Sequence, residues 1–292
     1  MREYLESFLR EFEYPEGALA ELLSSYDKVI SRRKDDLEAL ISEYESNYDI
    51  DYNSAMERMK EISFASGIHE YTGDLILFLC YTRALWKYYK SREISRQIYN
   101  DTVLDLRYKL DECVCVKGVY GSFVAKWFVG FFKLERFALG RLQFEIVEFG
   151  GALERGSLHL YPDTKLINVH IPRSGAPLDR ESVRKSYRLA CDFYRPVIGD
   201  KIVFVCSSWL LFPRHREMLG ESSNILAFMN DYDIFTSGEY SDYAEIWRLF
   251  DMDYDGDVSH LPADTSLRRA YVDLISRGER TGWGKGVFEY KK

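Results

Sequence analysis

Residues 142–149, LQFEIVEF, alternate apolar and polar side chains, which is the period of a β-strand with one face turned to a core. The turn residues Gly150 and Gly151 follow, and two more strand-like runs come after them, SLHLY at 157–161 and LINVHIP at 166–172. Three such runs separated by turns predict an antiparallel meander, so a sheet begins near residue 140.

Downstream of these strands, helical and strand-like patterns alternate. In chain order the sequence predicts a helix over 179–194, the strand KIVFVC at 201–206, an amphipathic segment at 209–219, the strand-like run NILAFMNDYDIF at 224–235, helices at 243–250 and 265–277, and a last strand, GVFEY, at 286–290. Helices between later strands are typical of an α+β domain.

Upstream of the first strand, apolar residues recur at spacings of three and four, as at Leu5, Phe8 and Leu9, which predicts helices. The run LILFLCYTRALWKYY at 75–89 is apolar almost all round and is expected to be the central helix. The chain of 292 residues therefore divides into an all-helical domain, 1–135, and an α+β domain, 136–292.

Composition excludes several classes of protein. The formal net charge of −8 gives no basic field for nucleic acid or an anionic membrane surface. No apolar run approaches the roughly 20 residues of a membrane span, and the helical N-terminus does not resemble a signal peptide. The five cysteines are odd in number and scattered, which favours reduced thiols and a cytoplasmic protein.

Four polar residues share one predicted face of the sheet. They are Gln143, Glu145, Asn168 and His170, because side chains alternate along each strand. Glu145 first, and His170 second, are candidates for a general base, with Gln143 and Asn168 as substrate-binding residues. Alternatively, these side chains satisfy one another or face solvent on the open side of the sheet.

Several short motifs in the second half of the chain resemble those of a known protein family. They are Gly140-Arg141-Leu142-Gln143-Phe144-Glu145, Val169-His170-Ile171-Pro172 leading into Gly175 and Pro177-Leu178, Val205-Cys206-Ser207-Ser208-Trp209-Leu210-Leu211, Ser223-Asn224-Ile225-Leu226, Leu261-Pro262-Ala263-Asp264-Thr265-Ser266-Leu267, and Thr281-Gly282-Trp283. The chain resembles a bacterial family of acyltransferase-domain proteins that pair a helical N-terminal domain with a GNAT-like C-terminal domain. The resemblance implies a largely antiparallel mixed sheet, acetyl-CoA or another acyl-CoA as co-substrate, and a small-molecule or peptide amine as acceptor.

The resemblance also implies where the cofactor would bind. GNAT enzymes hold the pyrophosphate of acetyl-CoA on a loop that follows a strand and leads into a helix. The matching residues here are Arg173, Ser174, Gly175 and Ala176. The loop departs from the usual motif, since Pro177 lacks a backbone donor. In the alternative interpretation Asp179 caps a helix that follows an ordinary turn.

Two further segments invite functional interpretations. Ser208, or its neighbour Ser207, is placed to donate to the thioester carbonyl or to the leaving thiolate, and Trp209 to contact substrate, although a helix cap also explains one serine. Residues 251–259 match the first nine positions of an EF-hand loop, but Pro262 occupies the position of the essential glutamate, so no metal site is expected.

The sequence leaves two functions open. One is an acyl-CoA-dependent N-acyltransferase that acts on an amine. The other is a noncatalytic GNAT-like binding or regulatory module that has lost CoA. A gap between the central strands filled by side chains would favour the second, and an open cleft would favour the first.

Overall fold

The computed structural model describes residues 1–243 and 245–291. It divides into two compact units, Met1–Phe137 and Ala138–Lys292. The first unit is helical and the second contains a mixed, largely antiparallel sheet with flanking helices, as the sequence predicts. No described helix has both the length and the apolar character needed to cross a membrane.

The helices of the first unit are α1 (Arg2–Glu11), α2 (Glu16–Ser46), α3 (Tyr52–Ser66), α4 (Glu70–Ser91), α5 (Arg96–Val103), α6 (Asp105–Lys117) and α7 (Val129–Phe132), with a short 3₁₀ turn at Ala125–Phe128. Helix α4 packs against α2, α3, α5 and α6, and residues 75–82 within it are all buried. The prediction that 75–89 forms the central helix is therefore confirmed. Contacts with four helices bury most of this stretch and explain its apolar character, and the exposed positions carry Arg83 and Lys87.

The strands are β1 (Arg136–Leu139), β2 (Leu142–Glu148), β3 (Leu153–Arg155), β4 (Leu158–Leu160), β5 (Lys165–His170), β6 (Val203–Ser208), β7 (Asp233–Glu239) and β8 (Gly282–Glu289). The helices of this unit are α8 (Arg180–Ile198), α9 (His215–Met218), α10 (Asn224–Met229), α11 (Trp247–Phe250) and α12 (Ser266–Ser276), with 3₁₀ turns at Trp209–Leu211 and Val258–His260. Of the helix predicted over 243–250, residue 244 lies outside the described residues.

The main sheet has the order β1-β2-β5-β6-β8-β7. Strands β2 and β5 are antiparallel, β5 and β6 are parallel, and β6, β8 and β7 are antiparallel in turn. Helix α8 makes the crossover between the parallel strands. Its Tyr187 ring lies 5.0 Å from the rings of both Phe204 and Phe288, so α8 covers one face of the sheet.

The predicted meander is wrong in its middle strand. Strand β4 pairs with β3 in a separate two-stranded sheet, and β2 pairs directly with β5. The hairpin carries Leu158 and Leu160, which pack with Val203, Val205 and Val287. It therefore covers part of the face opposite α8 rather than extending the sheet, because its leucines are buried only in that position.

The strand predicted over 224–235 is wrong in its first half, which forms helix α10. The Ser223 hydroxyl caps the first turn of this helix and accepts from the Ile225 amide at 3.2 Å. The apolar residues of α10 are buried near its C-terminal end, at Phe228 and Met229. A short apolar run fits a strand and a buried helix equally well, and here the cap decides the outcome.

Candidate functional site

Glu145, Asn168 and His170 form one hydrogen-bonded cluster on neighbouring strands. The register pairs Glu145 with Asn168 and Gln143 with His170. The Glu145 Oε1 atom lies 2.7 Å from His170 Nε2 and accepts from Asn168 Nδ2 at 3.0 Å. Gln143, on the same face, is only 1% exposed. Glu145, Asn168 and His170 therefore contact one another, as the alternative interpretation of the polar face also expected.

The cluster is partly sheltered from solvent. The side chains of Glu145 and His170 are 16% and 20% exposed to solvent. The His170 Nε2 atom faces both Glu145 Oε1, at 2.7 Å, and Asn168 Nδ2, at 3.1 Å, and its donor or acceptor role follows the ring tautomer. A histidine oriented in this way can accept a proton while the carboxylate stabilises the resulting charge.

Strands β5 and β6 pair only at Ile167 with Phe204 and at Asn168 with Val205. Both strands continue beyond these residues, to His170 and Ser208, without further paired positions in the described register. The pairing in this register therefore ends beside the cluster.

The two serines at the end of β6 lie on opposite faces. Val205 is the neighbour of Asn168, and side chains alternate, so Ser207 lies on the face of the Glu145 cluster and Ser208 on the other. The Ser208 hydroxyl accepts from the Leu210 amide at 3.2 Å and caps the 3₁₀ turn. Ser207 is exposed and pairs with Lys285 on β8. The structure therefore places Ser207, and not Ser208, with the cluster.

Trp209 is separated from the cluster as well. Its ring lies 6.0 Å from His215 and 6.3 Å from Tyr271, at one end of an apolar group formed by α11 and α12. A small pocket beside it is also lined by Tyr240, Ile246 and Leu249. Burial lowers the pKa of His215 to about 4, and this neutral ring is bonded to the Tyr271 hydroxyl at 2.6 Å.

The predicted cofactor loop follows β5. Gly175 has φ +74°, a left-handed conformation that glycine adopts without strain, and no atom lies within 4 Å of where a Cβ would stand. The Ser174 hydroxyl accepts from the Ala176 amide at 3.3 Å, so that donor is engaged. Arg141 Nη1 donates to Pro172 O at 2.9 Å and holds the loop in place. Nothing in the sequence pattern marked Arg141 beyond its place in a family motif.

Helix α8 begins with its own cap. Asp179 Oδ1 accepts from the Ser182 amide at 2.9 Å, and this hydrogen bond holds the pKa of Asp179 below its usual value. The self-capping that the sequence left open is therefore present. A phosphate at this helix end meets a carboxylate first, so the loop rather than the helix terminus is the available part of the site.

The aspartates of 251–257 are directed to different partners. Asp251 forms ion pairs with Arg173 at 2.8 Å and with Arg268 at 2.7 Å. Asp255 contacts His260 Nδ1 at 2.7 Å, and Asp257 caps the 3₁₀ turn through Ser259. Asp255 and Asp257 thus both face His260, whereas Asp251 faces the two arginines.

All five cysteines are free thiols. Cys206 is fully buried at the end of the apolar part of β6, and burial raises its pKa well above the ordinary value. A thiol that does not ionise at neutral pH is a poor nucleophile. Cys206 therefore serves packing, as the sequence indicated.

The fold and this cluster together define a GNAT-like α+β protein with an added helical half. Residues 137–288 match the model of the GNAT-like C-terminal domain, and residues 3–134 match that of the N-acyltransferase N-terminal domain. The chain belongs to the family defined by this GNAT-like C-terminal domain. No curated protein matches the sequence significantly.

Solved acyltransferase structures share the fold over nearly the whole chain. One, in complex with decanoyl-CoA and teicoplanin, is 19% identical with a TM-score of 0.73, and the match covers 98% of this chain and 87% of that one. Another, an acyltransferase mutant in complex with octanoyl-CoA, is 20% identical with a TM-score of 0.74, covering 99% and 88%. At these identities the likeness concerns the fold.

Proposed function

We propose that this protein is an acyl-CoA-dependent N-acyltransferase that transfers an acyl group to a small-molecule amine. The observation that carries the proposal is the 2.7 Å contact between Glu145 Oε1 and His170 Nε2, at the place where β5 and β6 stop pairing. A carboxylate–imidazole pair on a GNAT-like sheet can take the proton that an amine loses when it attacks a thioester. Family membership supports the same reaction class.

In this proposal the amine nitrogen attacks the thioester carbonyl carbon, and the carbon–sulfur bond breaks to release CoA. The amine proton passes to the Glu145–His170 pair, directly or through water, and the carboxylate stabilises the imidazolium. Asn168 Nδ2 donates to the same carboxylate oxygen and fixes its position. Acyl-CoA supplies the activated acyl group, and the protein supplies the base and the orientation.

Of the two serines considered as hydrogen-bond donors to the thioester, we propose Ser207 rather than Ser208. Ser207 is exposed on β6, the strand next to β5, and lies on the face of the Glu145 cluster. From there it is suited to donate a hydrogen bond to the thioester oxygen or to the leaving thiolate. Ser208 is engaged as a cap, and its contribution is to the local fold.

The structurally similar acyltransferases provide the co-substrates to test first. Their complexes contain decanoyl-CoA and octanoyl-CoA, and one also contains teicoplanin. For the present chain we propose an acyl-CoA co-substrate, with acetyl-, octanoyl- and decanoyl-CoA as the range to compare. Reduced cysteines favour a cytoplasmic setting for the reaction.

The proposal is tested by thiol release. Purified protein is incubated with each acyl-CoA and a panel of primary amines, and free CoA and acylated amine are measured together. Equal amounts of both products, with release lost in Glu145→Gln and retained in Glu148→Gln on the same strand, are expected. Thiol release without acylated amine identifies hydrolysis, and neither product with any pair contradicts the proposal.

One alternative has specific support. The capped start of α8 and the ion pair between Arg173 and Asp251 both occupy groups that a CoA phosphate would use. A noncatalytic GNAT-like module would have such features, and it would bind no acyl-CoA. Calorimetry with acyl-CoA therefore separates the two functions before any acceptor is known.

A further inference from the structure

The helical unit contains a cavity of about 250 Å³, and none of the residues proposed for acyl transfer lines it. The cavity lies between α3, α4 and the segment that follows α6. Its apolar lining consists of Met56 from α3 together with Phe123, Val124 and the buried Ala125. These side chains offer a small organic ligand a surface on which to bury hydrocarbon.

Asp74, on α4, contributes a carboxyl group to this cavity. Burial is the main reason why its pKa is raised to about 7. The charge of Glu70 adds to the rise, that of Lys60 opposes it, and that of Glu57 adds further. Among the described residues, no hydrogen bond or ion pair engages the Asp74 carboxyl group. A cation that enters the cavity would therefore stabilise the ionised form of this group.

The other charged residues of the lining are placed differently. Lys60 Nζ lies 2.8 Å from Glu70 Oε2, and this hydrogen bond raises the pKa of Lys60 and lowers that of Glu70. Both groups therefore remain charged through neutral pH and neutralise each other. Glu57 and Lys126 are exposed. Asp74 is thus the carboxyl group of the cavity that is both sheltered from solvent and without a partner cation.

The lining of the cavity determines which kind of cation fits it. A metal ion is held by several oxygen, nitrogen or sulfur ligands, whereas the walls beside Asp74 are apolar side chains. We propose that the cavity binds a primary alkylammonium ion, with the ammonium group on Asp74 and the hydrocarbon chain against Met56, Phe123 and Val124. This binding site belongs to the helical unit alone and does not depend on acyl transfer, because it needs neither acyl-CoA nor the Glu145 cluster.

The first test is calorimetric titration of the full chain with hexylammonium at pH 8. Hexanol and hexanoate serve as uncharged and anionic probes of the same chain length. We expect millimolar binding of hexylammonium, binding of hexanol at least about tenfold weaker, and no binding of hexanoate. Methylammonium should also bind more weakly than hexylammonium, since each fully buried methylene tightens binding about fourfold. Equal binding of the three hexyl probes, or none of hexylammonium well into the millimolar range, would overturn the proposal.

The affinity for hexylammonium should follow the ionisation of Asp74. With a pKa of about 7, this carboxyl group is mostly ionised at pH 8 and mostly protonated at pH 6, whereas an alkylammonium keeps its charge at both. Binding should therefore weaken about tenfold between pH 8 and pH 6. Of the charged neighbours, Lys60 and Glu70 do not change charge in this range. An affinity that is the same at both pH values would contradict binding through Asp74.

Three variants locate the binding site. Asp74→Asn keeps the shape of the side chain but removes its charge, so binding should weaken about tenfold or more and lose its pH dependence. Glu61→Gln makes the same change of net charge at an exposed position of α3 outside the cavity lining, and it should bind as the wild type does. Lys126→Gln removes a like charge from the lining and should bind at least as tightly. Circular dichroism confirms that each variant is folded, and unchanged affinity in Asp74→Asn would place the ligand elsewhere and overturn the proposal.

Discussion

Glu145 and His170 lie on adjacent antiparallel strands, two residues out of direct register, and their side chains meet at 2.7 Å. The diagonal arrangement arises because Glu145 is paired with Asn168, whose amide donates to the same carboxylate oxygen. The cluster is thus built on strands rather than loops, which holds its geometry closely.

Removing the carboxylate charge should slow the reaction without affecting acyl-CoA binding. Glu145→Gln leaves the side-chain shape but cannot stabilise a protonated His170, and we expect kcat to fall about 10²- to 10³-fold. The acyl-CoA dissociation constant, measured by calorimetry, should change less than about twofold because the carboxylate acts on the proton. A variant with full kcat would show that this pair is structural.

Replacing Gly175 should change the conformation of the cofactor loop but have little effect on overall stability. Gly175→Val forces a branched side chain into the left-handed region, φ +74°, at a cost of about 1–2 kcal/mol. We expect the loop to change conformation and acyl-CoA binding to weaken at least tenfold, while the melting temperature falls by only a few degrees. Gly151→Ala, where the added methyl meets nothing within 4 Å, is the matched control and should bind normally.

Gly284 is expected to be essential for folding around the end of β6. It pairs with Ser208, and a Cβ there would lie 2.1 Å from the Leu211 carbonyl oxygen. Backbone at that distance cannot move aside cheaply, so Gly284→Ala should cost about 3 kcal/mol or prevent folding. Urea unfolding measures the loss, and Gly150→Ala, with open space around it, should be nearly neutral. Equal stability of the two variants would contradict the packing described for β8.

Because His215 is buried, we expect the free energy of unfolding to fall in mild acid. Burial lowers its folded pKa to about 4, whereas the unfolded value is near 6.5, so the unfolded chain binds more protons between these values. Stability is therefore full above pH 6.5 and declines as the pH falls toward 4, by about 2 kcal/mol at pH 5 from this group.

The check is urea unfolding at pH 7 and pH 5. His215→Asn should be less stable at pH 7, because it loses the Tyr271 contact, but it should also lose part of the wild-type pH dependence. His159→Gln, at an exposed position of β4, should keep that dependence. If His215→Asn declines as steeply as the wild type, other groups must account for the acid sensitivity.

The sequence predicts those parts of the fold that depend on local pattern. Alternation in 142–149 and 166–172 placed Glu145 and His170 on one face, and pairing of β2 with β5 brings them into contact. The sequence also predicts helix α8 and offers Asp179 as its cap, because a capping side chain and the amide it accepts from are only three residues apart.

Features that depend on contacts between residues far apart in the chain could not be predicted from the sequence. The ion pair between Arg173 and Asp251 joins residues far apart in the chain, and the acidic run around Asp251 resembled a calcium loop instead. Strand pairing likewise decided that Leu158 and Leu160 belong to a separate hairpin, since their alternation fits either sheet. The faces of Ser207 and Ser208 followed only once the register of β6 was known.

The most direct test of the central claim is calorimetric titration of the purified protein with acetyl-, octanoyl- and decanoyl-CoA. We expect saturable binding of at least one of them at one site per chain, retained in Glu145→Gln and weakened in Gly175→Val. Absence of binding by all three up to millimolar concentration would contradict it and would leave a GNAT-like fold without the reaction.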